Sequence, residues 1–387
     1  MKTVAITVAL FMTIVSTANA VSPLAECSSQ IQDRLDAAVN DIFKDTGIPD
    51  GVGAYCFFSM RGAELSLRSG RIAECGPDHF FRIASGTKMF TAAAAAMLIA
   101  DGKFALDDRI TPLIPPDYDI PDGDRITVHM LLNHKSGIFD PTNSEIPADA
   151  ATPYAGRDYT GFIQESDPSH DFTCDEYFKL IGQLRLQTGA PGSGNYCNMN
   201  YALLNKIIER ATGKTAERYI EETLIVPFGL ASTYIPSGGG DRDLAEPFIR
   251  GFKWRDRAAG STTDATRRNP SVFIGSGNIV STPRDMTRFV RKLFNRGPGY
   301  TMLQPPGEGY GLGIMSKGSG FGNDGAFNGY YSMMFYNPEL DLAWCIVINL
   351  CDFSGDFGFQ VNRMTEFQNE AAAIVKTAVE NSNTNRR

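Results

Sequence analysis

The chain has 387 residues, 43% hydrophobic and 21% charged, a balance that excludes a disordered or collagen-like polymer. Its 36 basic residues stand against 44 acidic ones, giving a net charge of −8 with no run of Lys or Arg, which argues against a nucleic-acid binder. At roughly 150 residues per domain this length corresponds to two or three domains with a sizeable core.

In chain order, residues 1–20 read as a signal peptide. Lys2 supplies the positive start, Val4 to Val15 is apolar, and Ala18-Asn19-Ala20 is a small-x-small cleavage pattern. The apolar run falls short of the ~20 residues a spanning helix needs, and no later stretch approaches that length. The expectation is an exported protein, periplasmic or extracellular, with no membrane span. Export permits disulfides among Cys27, Cys56, Cys75, Cys174, Cys197, Cys345 and Cys351, and an odd count leaves at least one thiol over. No C-x-x-C pair occurs, and His129 and His134 lack an H-E-x-x-H frame, so neither a metal nor another cofactor is expected.

Residues 30–46 carry Ile31, Leu35, Val39, Ile42 and Phe43 at helical spacing and stop at Gly47. GVGAYCFFSM and AELSLRSG predict two strands joined at Arg61-Gly62. From Ser85 through Met89, Phe90 and Ala92 to Ala96 runs a helix apolar on nearly every face, ended at Asp101-Gly102, which must therefore be buried. Residues 105–271 read as helices between long loops. ITVHMLLNHKSG is one helix with its stop, 140–172 a loop of functional length, and YALLNKIIERATG and AERYIEETLIVPFG two amphipathic helices; 254–271 is polar and loop-like. TPRDMTRFVRKLF predicts a helix from Thr282-Pro283, YGLGIM, YYSMMFY and LAWCIVINL predict strands, and 360–379 a last helix. Strands at both ends predict a mixed α/β (α+β) fold. Its antiparallel sheet, flanked by helices, forms from 21–104 and 272–387, the mostly helical insertion is 105–271, and a site is expected in the cleft between.

The chemistry concentrates at Phe81-Arg82-Ile83-Ala84-Ser85-Gly86-Thr87-Lys88. Ser85 and Lys88 are one helical turn apart and share a face. A serine hydroxyl needs a base, a lysine in an apolar site loses its proton near neutral pH, and a helix start offers N–H groups to an oxyanion. With 24 Ser and 12 Lys in the chain, chance alone gives about 0.7 S-x-x-K matches, so the buried helix behind the motif carries its weight. No G-x-S-x-G elbow occurs, which argues against an α/β-hydrolase.

FRIASGTKMFTAAAAAMLIADGKFALDDRI resembles the S-x-x-K segment of the class C β-lactamase and D-peptidase family of serine hydrolases. Further segments are similar in order: ITVHMLLNHKSGI, Tyr196-Cys197-Asn198 at the Y-x-N motif, GNIVSTPRDMTRF, YGLGI and FNGYYSMMFYNPE, together spanning about 30–350. DHFFRIASGTK also looks like D-amino-acid amidases and D-aminopeptidases. The resemblance implies Ser85 as acylated nucleophile, Lys88 as its proton acceptor and Tyr196 as the phenol that protonates the leaving amine, with Lys88 supplying the positive charge a tyrosine needs to ionise. It further implies Asn198 on the substrate amide and the Ala326 N–H as second oxyanion donor. Where relatives carry Lys-Thr-Gly or His-x-Gly, this chain has Asn323-Asp324-Gly325. Gly325 keeps the close backbone approach, Asn323 loses the positive charge and Asp324 adds a negative one, which disfavours a substrate carboxylate there and favours a neutral or cationic substrate. Lys317 reads as part of a solvated turn, His134 as structural, and Cys197 as a small buried residue.

The expected activity is that of an exported serine hydrolase acting on small amides, D-amino-acid peptides or esters. The alternatives are a β-lactamase or D-alanyl-D-alanine carboxypeptidase, and a non-catalytic cell-wall ligand-binding protein. The expected partner is a small-molecule or short-peptide substrate; the sequence leaves the oligomeric state open.

Overall fold

A computed structural model of the chain describes residues 22–295, 297–302, 310–318, 320–353 and 357–384. The 1–20 segment read as a signal peptide lies outside the described residues. Ten strands follow in chain order: β1 (Gly53–Met60), β2 (Ala63–Gly70), β3 (Phe81–Arg82), β4 (Phe252–Asp256), β5 (Ser261–Asp264), β6 (Val280–Ser281), β7 (Met315–Lys317), β8 (Gly320–Phe327), β9 (Tyr330–Asn337) and β10 (Leu342–Ile348). Six of them form one antiparallel sheet in the order β2-β1-β10-β9-β8-β7, so the N-terminal hairpin joins the C-terminal meander through β1 and β10. The β1–β2 turn is the expected one. Met60 pairs with Ala63, and Arg61 and Gly62 both take positive φ, the two-residue turn whose twist matches a hairpin.

Strand β1 is buried along its whole length because both faces of the sheet are covered. Ala54, Cys56, Phe58 and Met60 point to one side, where the helices Ser28–Ile42 and Phe357–Thr384 pack with Ile31, Leu35, Phe367 and Val375. Tyr55 and Phe57 point to the other, into the core that holds the helices Thr87–Ala100, Met199–Thr212 and Pro283–Asn295. As its composition demanded, Thr87–Ala100 lies inside, its Phe90 stacked on Phe289 at 3.8 Å between ring centroids. Each fully buried Leu, Ile or Phe in such an interface contributes about 1.5–3 kcal/mol. No helix among the described residues is long and apolar enough to cross a membrane.

Several local expectations change. ITVHMLLNHKSG gives only the helix Val128–Leu132, because His134 takes a left-handed φ of 60° and turns the chain away. The loop 140–172 contains the helix Tyr159–Ser166, capped by Asp158. Residues 254–271 are not simply loop, since β4 and β5 pair as a hairpin through Trp254↔Thr262. Of YGLGIM, only Met315 is in a strand, because Gly313 takes a φ of 77° before it.

Candidate active site

Ser85 is held by a short strand and a strained turn. Strand β3 pairs with β6, and Ile83 N–H donates to Ile279 O at 3.2 Å. Ala84 follows with a φ of 47°, a conformation that costs a non-glycine residue about 1 kcal/mol or more. Ser85 thus sits in a single 3₁₀ turn, Ala84–Gly86, ahead of the helix rather than within it, with Lys88 one turn further on.

Lys88 is completely buried, and its Nζ has three neighbours: Asn198 Oδ1 at 2.7 Å, Ser276 O at 2.9 Å and Ser85 Oγ at 3.1 Å. Desolvation lowers its pKa to about 7, against the opposing charge of Asp140. Two of the three partners are carbonyl oxygens that can only accept. The two protons of a neutral amine go to them, which leaves its lone pair for the one partner able to donate back, the Ser85 hydroxyl.

The orientation of the Asn198 amide follows from its other end. Asn198 Nδ2 donates to Thr142 Oγ1 at 3.0 Å, and Thr142 Oγ1 donates to Asp140 Oδ1 at 2.6 Å. Asp140 is buried and also accepts from Asn198 N at 2.7 Å, Thr142 N at 3.0 Å and Asn143 Nδ2 at 3.1 Å. A directed chain therefore runs from Lys88 through Asn198 and Thr142 to Asp140. Asn198, expected on a substrate amide, has both amide ends engaged by protein and orients Lys88.

Tyr196 closes the other side of Ser85, its hydroxyl 2.6 Å from Ser85 Oγ. The residue is half exposed in the open cleft, but its hydroxyl end lies among protein groups. Desolvation, then Tyr310, then Asp324 and Asp140 push the phenol well above its usual pKa, against the Ser85 hydrogen bond. Its resting form is the neutral phenol, although Lys88 Nζ lies 4.8 Å from its ring centre. The ring stacks on His134 at 4.3 Å. His134 Nδ1 accepts from Cys197 N at 3.1 Å, which leaves Nε2–H to donate to Tyr310 OH at 3.2 Å. Burial and Lys88 hold that imidazole neutral, so it is a brace for the Tyr196 segment. Cys197 is buried with its thiol pushed up in pKa by desolvation, as a small packing residue would be.

Strand β8 forms the opposite wall. At Gly325 a Cβ would lie 2.1 Å from Ile83 O and 3.0 Å from Ser85 N, so only glycine lets the strand approach the serine turn. Ala326 and Asn323 share the cleft with Ser85, Asn323 being tied down by its Nδ2 donating to Gly313 O at 3.0 Å. The reading of Lys317 as a solvated turn is corrected. It lies in β7, mostly buried, with Nζ 2.8 Å from Asp324 Oδ2, which also accepts from Tyr331 OH. Adjacent antiparallel strands bring the two together, and the expected negative charge of Asp324 is thereby largely cancelled. The cleft has a volume of about 310 Å³, and its far walls are apolar, with Met315, Phe273, Phe327, Phe353 and Val361.

Ser85, Lys88, Tyr196, Asn198, Asn323, Gly325 and Ala326 thus surround one cavity or its serine turn. Sequence reasoning missed Asp140, Thr142, Ser276 and Tyr310. Asp140-Pro141-Thr142 carried a turn signal and nothing more, and Ser276 acts through its backbone carbonyl, to which side-chain identity gives no clue.

The chain belongs to the beta-lactamase family, whose model matches residues 52–358. It is 30% identical over 227 residues to esterase EstB of Burkholderia gladioli, which covers 56% of this chain and 55% of that one. With the D-alanyl-D-alanine-carboxypeptidase/endopeptidase AmpH of Escherichia coli strain K12 it shares 29% identity over 222 residues, 56% of this chain and 50% of the other. The chain thus spans about half the length of these curated relatives. Among solved structures it is similar to the D-amino acid amidase of Ochrobactrum anthropi SV3 complexed with D-phenylalanine, at 25% identity and a TM-score of 0.68, over 92% of this chain and 99% of that one.

Proposed function

We propose that the protein is an exported serine hydrolase that acts through a Ser85 acyl-enzyme on small amides, D-amino-acid peptides or esters. The observation that carries this reading is the Lys88 amine, drawn to a pKa of about 7 with two carbonyl acceptors and Ser85 Oγ as its partners. In acylation the Ser85 proton passes to Lys88 Nζ while Oγ bonds to the substrate carbonyl carbon. Tyr196 gives its phenolic proton to the leaving nitrogen or oxygen as that bond breaks, and the new ammonium offsets the phenolate. The Ser85 and Ala326 N–H groups face the oxyanion. In deacylation water attacks the acyl carbon and yields a proton to Tyr196, and Lys88 returns one to Ser85 Oγ. The names of the esterase and the D-amino acid amidase support an ester or D-amide substrate.

The test is fluorophosphonate labelling read by intact mass and peptide mapping. The expected result is a single adduct on Ser85, slowed about 10²–10⁴-fold in Lys88→Ala; a folded protein that takes no label would overturn the reading. A panel of amides, D-peptides, esters and β-lactams then ranks substrates. Export is supported by the pattern of residues 1–20, and the expected N-terminus of the secreted form is Val21. Recovery of the full-length chain inside the cell alone would sink that part.

A further inference from the structure

The Ser85 cleft continues into a second cavity of about 430 Å³, with Asn143, Phe273, Phe327 and Phe353 forming walls of both. Arg242, Arg267 and Arg268 line this second cavity, and Asp158 is the acidic residue among its described walls. That carboxylate also caps a helix, its Oδ1 accepting from Thr160 N and Thr160 Oγ1, both at 3.0 Å. Arg267 is neutralised by Asp243 at 2.7 Å. Arg268 makes no ion pair among the described residues, and its guanidinium lies 5.5 Å from the Phe327 ring. Arg242 has a buried Nε with no hydrogen-bond partner. Behind them the buried Arg82 donates to the carbonyls of Thr266 at 3.2 Å and Arg242 at 2.7 Å, with no carboxylate among its described hydrogen-bond partners.

Arg268 and Arg242 thus line one cavity with no ion pair of their own among the described residues, and Asp158 on the same walls acts on Arg268 more weakly than burial and Arg82 do. Burying a cation unpaired is costly, and a charge-assisted hydrogen bond to an anion recovers that cost. Burial first and Arg82 second lower Arg268 to a pKa of about 10, against smaller effects of Cys351 and Asp158, so a further anion beside it is favoured.

We infer that this second cavity is an anion subsite, in which Arg268 and Arg242 hold a carboxylate of the substrate while the bond to be cut lies at Ser85. The inference rests on the reading of Ser85 as nucleophile. It also places the substrate charge one chamber along the cleft from Asn323, whose uncharged amide is tied to Gly313 O.

The test uses two matched pairs of amide substrates. One pair ends its acyl part in a carboxylate or the isosteric carboxamide, and the other places the same difference on the amine part. In the wild-type protein one pair is expected to show at least a tenfold higher kcat/KM for the carboxylate, weakening as salt is raised. The preference should vanish in Arg268→Gln, shrink in Arg242→Gln and survive in Arg255→Gln, whose arginine is exposed on β4. In Arg255→Gln the turnover of all four substrates should match the wild type. Equal kcat/KM within both pairs, or a preference untouched in Arg268→Gln and Arg242→Gln, overturns the subsite. Should none of the four be cleaved, the catalytic reading is what fails. The subsite is then judged by calorimetry with glutarate, expected to bind at least tenfold more weakly to Arg268→Gln and Arg242→Gln; no binding to the wild type overturns it.

Discussion

Lys88 shows how much one side chain depends on groups that its own motif does not contain. Its proton is governed by desolvation and by Asp140, and its direction by Asn198 and Ser276. If the neutral amine is the base, the acylation rate falls as Lys88 protonates, so the rate should rise with pH to a plateau with a midpoint near the folded value of about 7. Stopped-flow acylation across pH 5 to 9 checks this; a flat profile would remove Lys88 as base. Asp140 favours the charged ammonium, so Asp140→Asn should move that midpoint to lower pH. The same change weakens a knot of four donors on one carboxylate and should cost on the order of 1–3 kcal/mol of stability by denaturant unfolding. An unmoved midpoint would mean that Asp140 acts only on the fold. Ser85, Lys88 and Tyr196 were legible in the sequence because spacing on a buried helix and an ordered set of segments marked them. Asp140 and Thr142 were not, since their role is to orient an amide some 58 residues away along the chain.

At the scale of elements, the decisive contact is β8 against the Ala84–Gly86 turn. Gly325→Val would place a side chain on Ile83 O and displace the strand from the serine. The expected outcome is a loss of roughly 1–3 kcal/mol and a labelling rate lower by about 10²-fold or more, because the oxyanion donors separate. Gly62→Val in the β1–β2 turn, at a positive φ that Gly325 does not share, supplies the contrast, with about 1–2 kcal/mol lost in thermal unfolding and the labelling rate of the folded protein unchanged. Equal effects of the two on labelling would mean that Gly325 matters only to the fold. The sequence read polar residues 254–271 as loop, and the structure made a hairpin, β4–β5, that packs little of its surface. Alternating burial is the signal that reveals a strand, and a half-exposed hairpin of charged and threonine residues does not carry it.

For the whole molecule, the sheet is closed by chain ends that are far apart in sequence. β1 pairs with β10, and the final helix covers the same face as Ser28–Ile42. Phe367 is fully buried between that helix and the sheet, so Phe367→Ala should cost about 3–5 kcal/mol in denaturant unfolding. The Ser85 labelling rate of the folded variant should stay within about twofold, since Phe367 lies on the sheet face opposite Lys88. A large loss of labelling without a loss of stability would show that the two faces are coupled. Hydrophobic pattern by itself determined that this chain makes a sheet from both ends, that Thr87–Ala100 is buried, and which serine is placed beside a lysine. These follow from local periodicity and from the cost of exposing apolar surface. Only the tertiary structure decided that Lys317 neutralises Asp324, that the Lys88 lone pair is aimed at Ser85, and that Arg242 and Arg268 share a cavity. Electrostatic partners are set by distances across the fold, and residue spacing along the chain does not encode them.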